Sequence, residues 1–155
     1  MRVRLAPLLA LALLAAPTAA AARSWDGAGR GVVEWTNGSD CPATLSLHLE
    51  RTDAAWGWRA TLRVVQEASN AWLVRVCLPS VATLEMPVSG SDLLGWRGEL
   101  HSACGSRWMQ ITLPLPTVED APARTVAVAY QAQGTCVPSG LLRADALVAL
   151  ATTEV

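Results

Sequence analysis

The chain has 155 residues, of which 52% are hydrophobic and 16% are charged, and its formal net charge is −1. This length suits one domain with one hydrophobic core. The near-neutral charge argues against nucleic acid or an anionic membrane surface as the main partner, because both attract strongly basic surfaces.

The first 22 residues have the pattern of a secretory signal peptide. Arg2 and Arg4 precede an apolar run from Leu5 to Pro17, and small residues follow it. The run is too short to span a bilayer as a permanent helix. We therefore predict cleavage after Ala22, export to the periplasm or the extracellular space, and no transmembrane segment afterwards. Losing 22 of 155 residues leaves 133, and losing two arginines moves the net charge from −1 to −3.

Residues 23–30 are polar and contain glycine, which predicts a short flexible lead before a single domain over residues 31–155. Apolar and polar residues then alternate in successive segments, as they do in half-buried strands. The tail, 141–153, fits both helical and strand spacing, and we interpret it as a strand because the sheet needs an edge partner there. The segments predicted as strands before the tail are 31–36, 44–51, 58–66, 71–78, 83–88, a weak strand within 91–102, 107–113 and 125–131.

About seven to nine short strands, with turn signals between them and no convincing helix, predict an all-β fold. An immunoglobulin-like antiparallel β-sandwich is the preferred architecture. A small β-barrel is the alternative, because the alternation of side chains has the same period in both.

Four cysteines lie beyond the predicted leader. They are Cys41, Cys77, Cys104 and Cys136. An even number in an exported chain predicts two disulfides, and the sequence leaves all three pairings open.

No complete catalytic set is present. The chain lacks a G-x-S-x-G motif, and His48 falls on the outward face of a predicted strand, where a solvated polar residue is expected. The acidic pair Glu119-Asp120 lies in a proline-rich loop, where it favours a soluble turn. His101 and Cys104 supply two metal ligands where a structural zinc site needs four. We therefore predict no catalytic residue, no metal and no cofactor.

Seven tryptophans and no phenylalanine occur in the chain. Tryptophan is then the bulky aromatic residue of the core, which strand parity predicts for Trp58 and Trp72. Trp56 and Trp96 lie in turn-like or weakly periodic segments, and they are the candidates to face a ligand such as a sugar ring.

A final motif lies around Cys136. The segment V-x-V-x-Y-Q ends at Gln131 and is followed by Gly-Thr-Cys-Val-Pro, with ITLPLP upstream. Residues 107–138 thereby resemble the N-terminal immunoglobulin-like domains of periplasmic thiol–disulfide interchange proteins. The resemblance implies a sandwich and thiol–disulfide exchange at Cys136. Such a loop carries two cysteines in that family, and the first is missing here, at a position among Gln131, Ala132 and Gln133.

Three functions follow. The preferred one is an exported, non-catalytic β-sandwich that binds another envelope or secreted protein through edge strands and tryptophan-bearing loops. The second is a thiol–disulfide exchange partner that uses Cys136. The third is a carbohydrate-binding module that uses exposed tryptophans.

Overall fold

Eight strands make up nearly all of the fold in a computed structural model of the chain. The structure describes residues 23–36, 40–53, 57–68, 77–114, 121–135 and 137–154. A short 3-10 turn, Pro138–Gly140, precedes the last strand. The strands are β1 (Arg23–Trp35), β2 (Asp40–Arg51), β3 (Gly57–Gln66), β4 (Ser80–Ser91), β5 (Gly95–Ser102), β6 (Gly105–Thr112), β7 (Ala123–Gly134) and β8 (Leu141–Glu154).

The strands close into one antiparallel barrel in sequence order. Each strand pairs with the next, and β8 returns to pair with β1, so that Arg23 lies opposite Glu154 and Val33 opposite Ala144. The all-β prediction is confirmed, but the preferred sandwich is wrong and the alternative barrel is right. The physical reason is that β1 and β8 bond to each other instead of ending two separate sheets, and closure of this kind removes the free edges.

Side-chain alternation fills the inside of the barrel with apolar groups. In β2, for example, Cys41, Ala43, Leu45, Leu47 and Leu49 are buried, and the residues between them are exposed or half-buried. The same period of two recurs in β3, β4 and β7. The largest fully buried side chains are Trp25, Tyr130, Leu45, Leu47, Leu49, Leu62, Met86, Met109, Ile111, Leu141, Leu150 and Val33.

The predicted flexible lead is in fact the first part of β1. Residues 24–30 pair with β2 on one side, residues 23–28 pair with β8 on the other, and Trp25 is completely buried. The prediction was wrong because the inward positions that follow Trp25 are glycines, and glycine-rich segments are typical of turns and flexible segments. Strand β1, and with it the described part of the domain, therefore begins at Arg23 instead of residue 31.

These glycines let β1 and β8 approach closely at the seam where the barrel closes. A Cβ atom on Gly27 would lie 1.9 Å from the carbonyl oxygen of Ala149, and one on Gly29 would lie 1.8 Å from that of Leu147. No side chain fits at such distances, so glycine at these positions permits the tight curvature that closure requires.

The remaining segments agree with the prediction in part. The ambiguous tail is a strand, as predicted, and it extends over Leu141–Glu154. The strand predicted at 71–78 falls mostly outside the described residues. The weak segment 91–102 contains a turn and then β5, whose ladder with β4 is short and joins Ser89–Ser91 to Gly95–Arg97. In the described part of the chain, no helix has the length and apolar character needed to cross a membrane.

Candidate binding surface

Aromatic side chains close the barrel end that contains the β4–β5 turn, here called the tryptophan end. Trp58 and Trp96 meet edge to face, with ring centres 5.4 Å apart and planes at 74°. The guanidinium of Arg124 lies over the Trp25 ring, 4.1 Å from its centre. Such contacts stabilise packed aromatic rings beyond the burial of their area. This end is therefore a packed plug.

The position of Trp96 overturns one sequence prediction. Its side chain is only 2% exposed, because it is the first inward residue of β5 and packs on Trp58. Trp96 therefore does not face an external ligand. The other candidate, Trp56, lies outside the described residues. Among the other tryptophans, Trp25, Trp35 and Trp58 are also buried, which confirms the core role predicted for Trp58, whereas Trp108 is half-buried. Trp72, the other predicted core tryptophan, lies outside the described residues.

Hydrogen bonds fasten the β4–β5 turn to the plug. The Trp25 indole N–H donates to Oδ1 of Asp92 at 3.4 Å, and the Arg124 guanidinium donates to the Asp92 backbone carbonyl. The amide of Leu94 donates to the carbonyl oxygen of Ser91 at 3.3 Å. The turn between β4 and β5, which share only a short ladder, is thus held by side chains from inside the barrel.

A polar network and a disulfide close the opposite end. The Trp35 indole N–H donates to the Gln66 side-chain carbonyl, and the Gln66 amide donates to the Leu78 carbonyl oxygen at 2.6 Å. The disulfide joins Cys41 to Cys77, with a Cα separation of 5.9 Å. Because the buried polar atoms of Gln66 are paired, this polar side chain can lie inside the apolar barrel without a large desolvation cost.

Tyr130 reaches the same end from β7 and is 1% exposed. Burial raises the pKa of its hydroxyl above the ordinary value of 10.0, and the nearby positive charge of Arg107 opposes that shift. Burial has the larger effect because it penalises the phenolate anion. Burial therefore favours the protonated hydroxyl of Tyr130 over the phenolate.

The predicted disulfide bonding is confirmed for three of the four cysteines. Cys41 and Cys77 pair and are 0% and 1% exposed. Cys104 is also disulfide-bonded, and it lies half-buried in the tight turn between β5 and β6. Cys136, the candidate redox residue, lies outside the described residues.

The histidines lie beside carboxylates on the exposed outer wall. Nδ1 of His48 lies 2.5 Å from Oδ1 of Asp26, and the hydroxyl of Thr153 donates to the other oxygen of that carboxylate at 3.0 Å. Nε2 of His101 lies 3.1 Å from Oε1 of Glu99. Within the described ranges, no three metal-ligating side chains come together. These contacts are typical of a polar barrel surface.

A groove with a volume of about 490 Å³ crosses the outer wall where β6, β7, β8 and β1 run side by side. Its floor is formed by the outward alanines of β7, Ala127 and Ala129, which are half-buried. Longer side chains border this floor because they occupy the same rows on the neighbouring strands. They are Gln110 and Thr112 from β6, Asp145 and Leu147 from β8, and Arg30 and Val32 from β1.

Two apolar side chains at this groove are strongly exposed. Leu147 is 59% exposed and Val32 is 46% exposed. Leu147 lies directly opposite Ala127 in the β7–β8 ladder, so a protruding leucine stands beside a shallow depression. A charged pair borders the apolar part, since Nε of Arg143 lies 3.2 Å from Oδ2 of Asp145. Exposed apolar groups with a polar border are typical of surfaces that bind partners.

Sequence reasoning did not find this groove. Its floor consists of alanines that alternate with the buried residues of β7, and alanine at an outward position has no distinctive signal. The one clue was Leu147. If residues 141–153 form a strand, the alternation of side chains places this apolar residue on the outside.

Comparison with protein-family models, curated proteins and solved structures found no match for this chain. The assignment of a function therefore depends on the geometry of the chain itself.

Proposed function

We propose that this protein is an exported, non-catalytic binding protein that docks a partner protein in the groove on its outer wall. The observation that carries the proposal is the exposure of Leu147 and Val32 beside the alanine floor, on a barrel whose inside is filled by its own side chains. Filled small barrels leave no room for a central ligand. Recognition is therefore left to the outside of the barrel, where this groove is one apolar surface and the β4–β5 turn, with Leu93 and Leu94 exposed, is another.

Export belongs to the proposal. The buried Cys41–Cys77 disulfide supports it, because such bonds persist in oxidising compartments and are rare in reducing ones. The predicted signal peptide, residues 1–22, lies outside the described residues.

A protein partner explains the groove better than a glycan does. Sugar rings bind by stacking on exposed aromatic side chains, and the described residues that line the groove include no aromatic one. Leucine, valine and alanine bordered by arginine and aspartate instead match the apolar centre and polar rim of a protein–protein contact.

Site-specific photo-crosslinking in the exporting cell tests this function. A photoreactive residue replaces Ala129 on the groove floor or, as the matched control, the exposed Thr83 on the far wall. We expect a discrete protein adduct from position 129 and none from position 83. Adducts of equal yield at both positions, or none at position 129, would refute the proposal.

Thiol–disulfide exchange is a second candidate, and the half-buried position of Cys104 favours it. In this reaction a partner thiolate attacks one sulfur of the Cys104 disulfide, forms a mixed disulfide and releases the other sulfur as a thiolate. The resemblance to the interchange proteins also supports this candidate, and the predicted redox role of Cys136 belongs to it. A disulfide at Cys104 that resists a dithiol reductant in the folded protein would remove it.

A further inference from the structure

The strand register places the groove residues in rows that run across the wall. One row contains Arg30 on β1, Leu147 on β8, Ala127 on β7 and Thr112 on β6, because Leu147 pairs with Ala127 and Ala127 pairs with Thr112. Arg30 joins this row because the pairs on either side of it, Ala28 with Ala149 and Gly31 with Ala146, keep one constant register. The largest apolar group in the row therefore stands next to one of the smallest.

We propose that the partner in the groove is a second copy of this chain. The two outer walls would meet face to face about a twofold axis that runs along the strands, between β7 and β8. The protruding residue of each copy then fits into the depression of the other. Each Leu147 then lies over the partner's Ala127. An interface of this kind is isologous, so every contact occurs twice. The inference rests on the proposed function and names the partner of the same site.

The charges on the wall agree with this arrangement. Along the same row, Arg30 lies over the partner's Thr112, and in the next row Asp145 lies over the partner's Ala129, since Asp145 pairs with Ala129 in the ladder. In the row beyond, Arg143 lies over the partner's Gln131. In these rows no charged side chain lies directly over a like charge, and the two Asp145 side chains, about one strand spacing apart across the axis, are each paired with their own Arg143. An axis across the strands through the first row would instead place Arg30 on the partner's Arg30. Like charges in contact oppose association, so the axis along the strands is favoured.

The size of the wall predicts a weak dimer. Because the wall of a closed barrel curves away on both sides, four strands about 4.8 Å apart and several rows of side chains give a contact of at most roughly 500–600 Å² per copy. This area is at the lower end of specific interfaces, where dissociation constants in the micromolar range are common. Monomer and dimer should therefore exchange over an accessible range of protein concentration.

Sedimentation equilibrium of the chain purified after export, from about 1 to 500 μM, tests the proposal. We expect a concentration-dependent dimer that Leu147→Glu weakens at least tenfold, because a buried carboxylate replaces the central apolar contact. The matched control is Val81→Glu, since Val81 is 58% exposed on β4 and Leu147 is 59% exposed on β8. The control should dimerise as the parent does.

A gain in affinity tests the axis itself. Thr112→Asp should tighten the dimer by about two- to fivefold, because the new carboxylate meets the partner's Arg30. Within one copy the two residues are three strand spacings apart, roughly 14 Å, so they interact little there. Adding Arg30→Asp to Thr112→Asp should reverse the gain.

Three results would overturn the second copy as the partner: a monomer at every concentration, a dimer that Leu147→Glu leaves intact, or a Thr112→Asp variant that does not dimerise more tightly. The proposed function fails separately. A photo-adduct at position 129 whose mass is not that of two copies would retain a groove that binds protein and reject the dimer.

Discussion

The guanidinium carbon of Arg124 lies 4.1 Å from the centre of the Trp25 ring, and this contact joins β7 to β1 across the tryptophan end of the barrel. The same guanidinium donates to the backbone of Asp92 in the β4–β5 turn. One buried side chain therefore connects three parts of the chain that are distant in sequence.

Arg124→Ala should lower the free energy of unfolding by about 2–4 kcal/mol, because it removes a desolvated cation–π contact and hydrogen bonds from a charged group. The measurement is the urea midpoint followed by tryptophan fluorescence. Arg97→Ala is the control, since Arg97 is exposed on the outer wall, and its effect should stay within about 0.5 kcal/mol. A loss for Arg124→Ala as small as that of the control would contradict the claim that Arg124 stabilises the tryptophan end.

The two disulfide-bonded regions should respond differently to reductant. Cys41 and Cys77 are buried, so their bond should be reduced only when the barrel opens, whereas the half-buried Cys104 should react earlier. Timed alkylation with peptide mapping measures the order. Simultaneous reduction of all the cysteines in the folded protein would contradict it.

Removal of the Cys41–Cys77 bond should also be costly. The two residues are 36 apart in sequence, and the loop-entropy model assigns about 4 kcal/mol to a loop of that size. The variant Cys41→Ser/Cys77→Ser should lose about that much stability in a denaturant titration. A loss below about 1 kcal/mol would show that the bond contributes little to the barrel.

Tyr130 should make the protein labile to alkali. Its folded-state pKa is raised above 10.0, so its contribution to stability is complete below that pH and is lost as the pH rises through the folded-state pKa. Because it is the only tyrosine in the chain, tyrosinate absorbance reports it alone. Tyr130→Phe should reduce the fall in stability above pH 10, and an ordinary titration of the folded protein would contradict the prediction.

Gly29→Ala should disrupt the seam of the barrel. The added Cβ would lie 1.8 Å from the carbonyl oxygen of Leu147, so β1 and β8 would have to separate. We expect a loss of more than about 2 kcal/mol in thermal or chemical unfolding. Ala28→Gly is the matched control, because Ala28 is the exposed neighbour on the same strand, and it should cost about 0.5–1 kcal/mol. Equal effects would show that the seam tolerates side chains.

Local patterns predicted the strands well because each one alternates over its own length. The sequence of β2 shows its buried leucines directly, and no distant residue is needed to interpret it. The closed barrel was less predictable, since it depends on pairing between β1 and β8, and residues such as Arg23 and Glu154 carry no local signal for that contact.

The errors have particular physical causes. Gly27 and Gly29 looked like a flexible segment because a strand whose inward residues are glycine has no apolar alternation. Trp96 looked accessible because β5 is short and begins directly after a turn, although its side chain packs on Trp58. The groove was missed because its floor is defined by the rows in which Ala127 and Ala129 meet their neighbours, and those rows exist only after the sheet has formed.

Pairing between β1 and β8 also determines when the molecule can become complete. An emerging chain presents β1 first and β8 last, so β1 keeps one open edge until Leu141–Glu154 arrives. During that interval its unpaired amides and carbonyls are available to other extended segments. Any fragment that ends before the last strand should therefore be prone to aggregation and proteolysis, and a delay in the arrival of β8 should have the same effect.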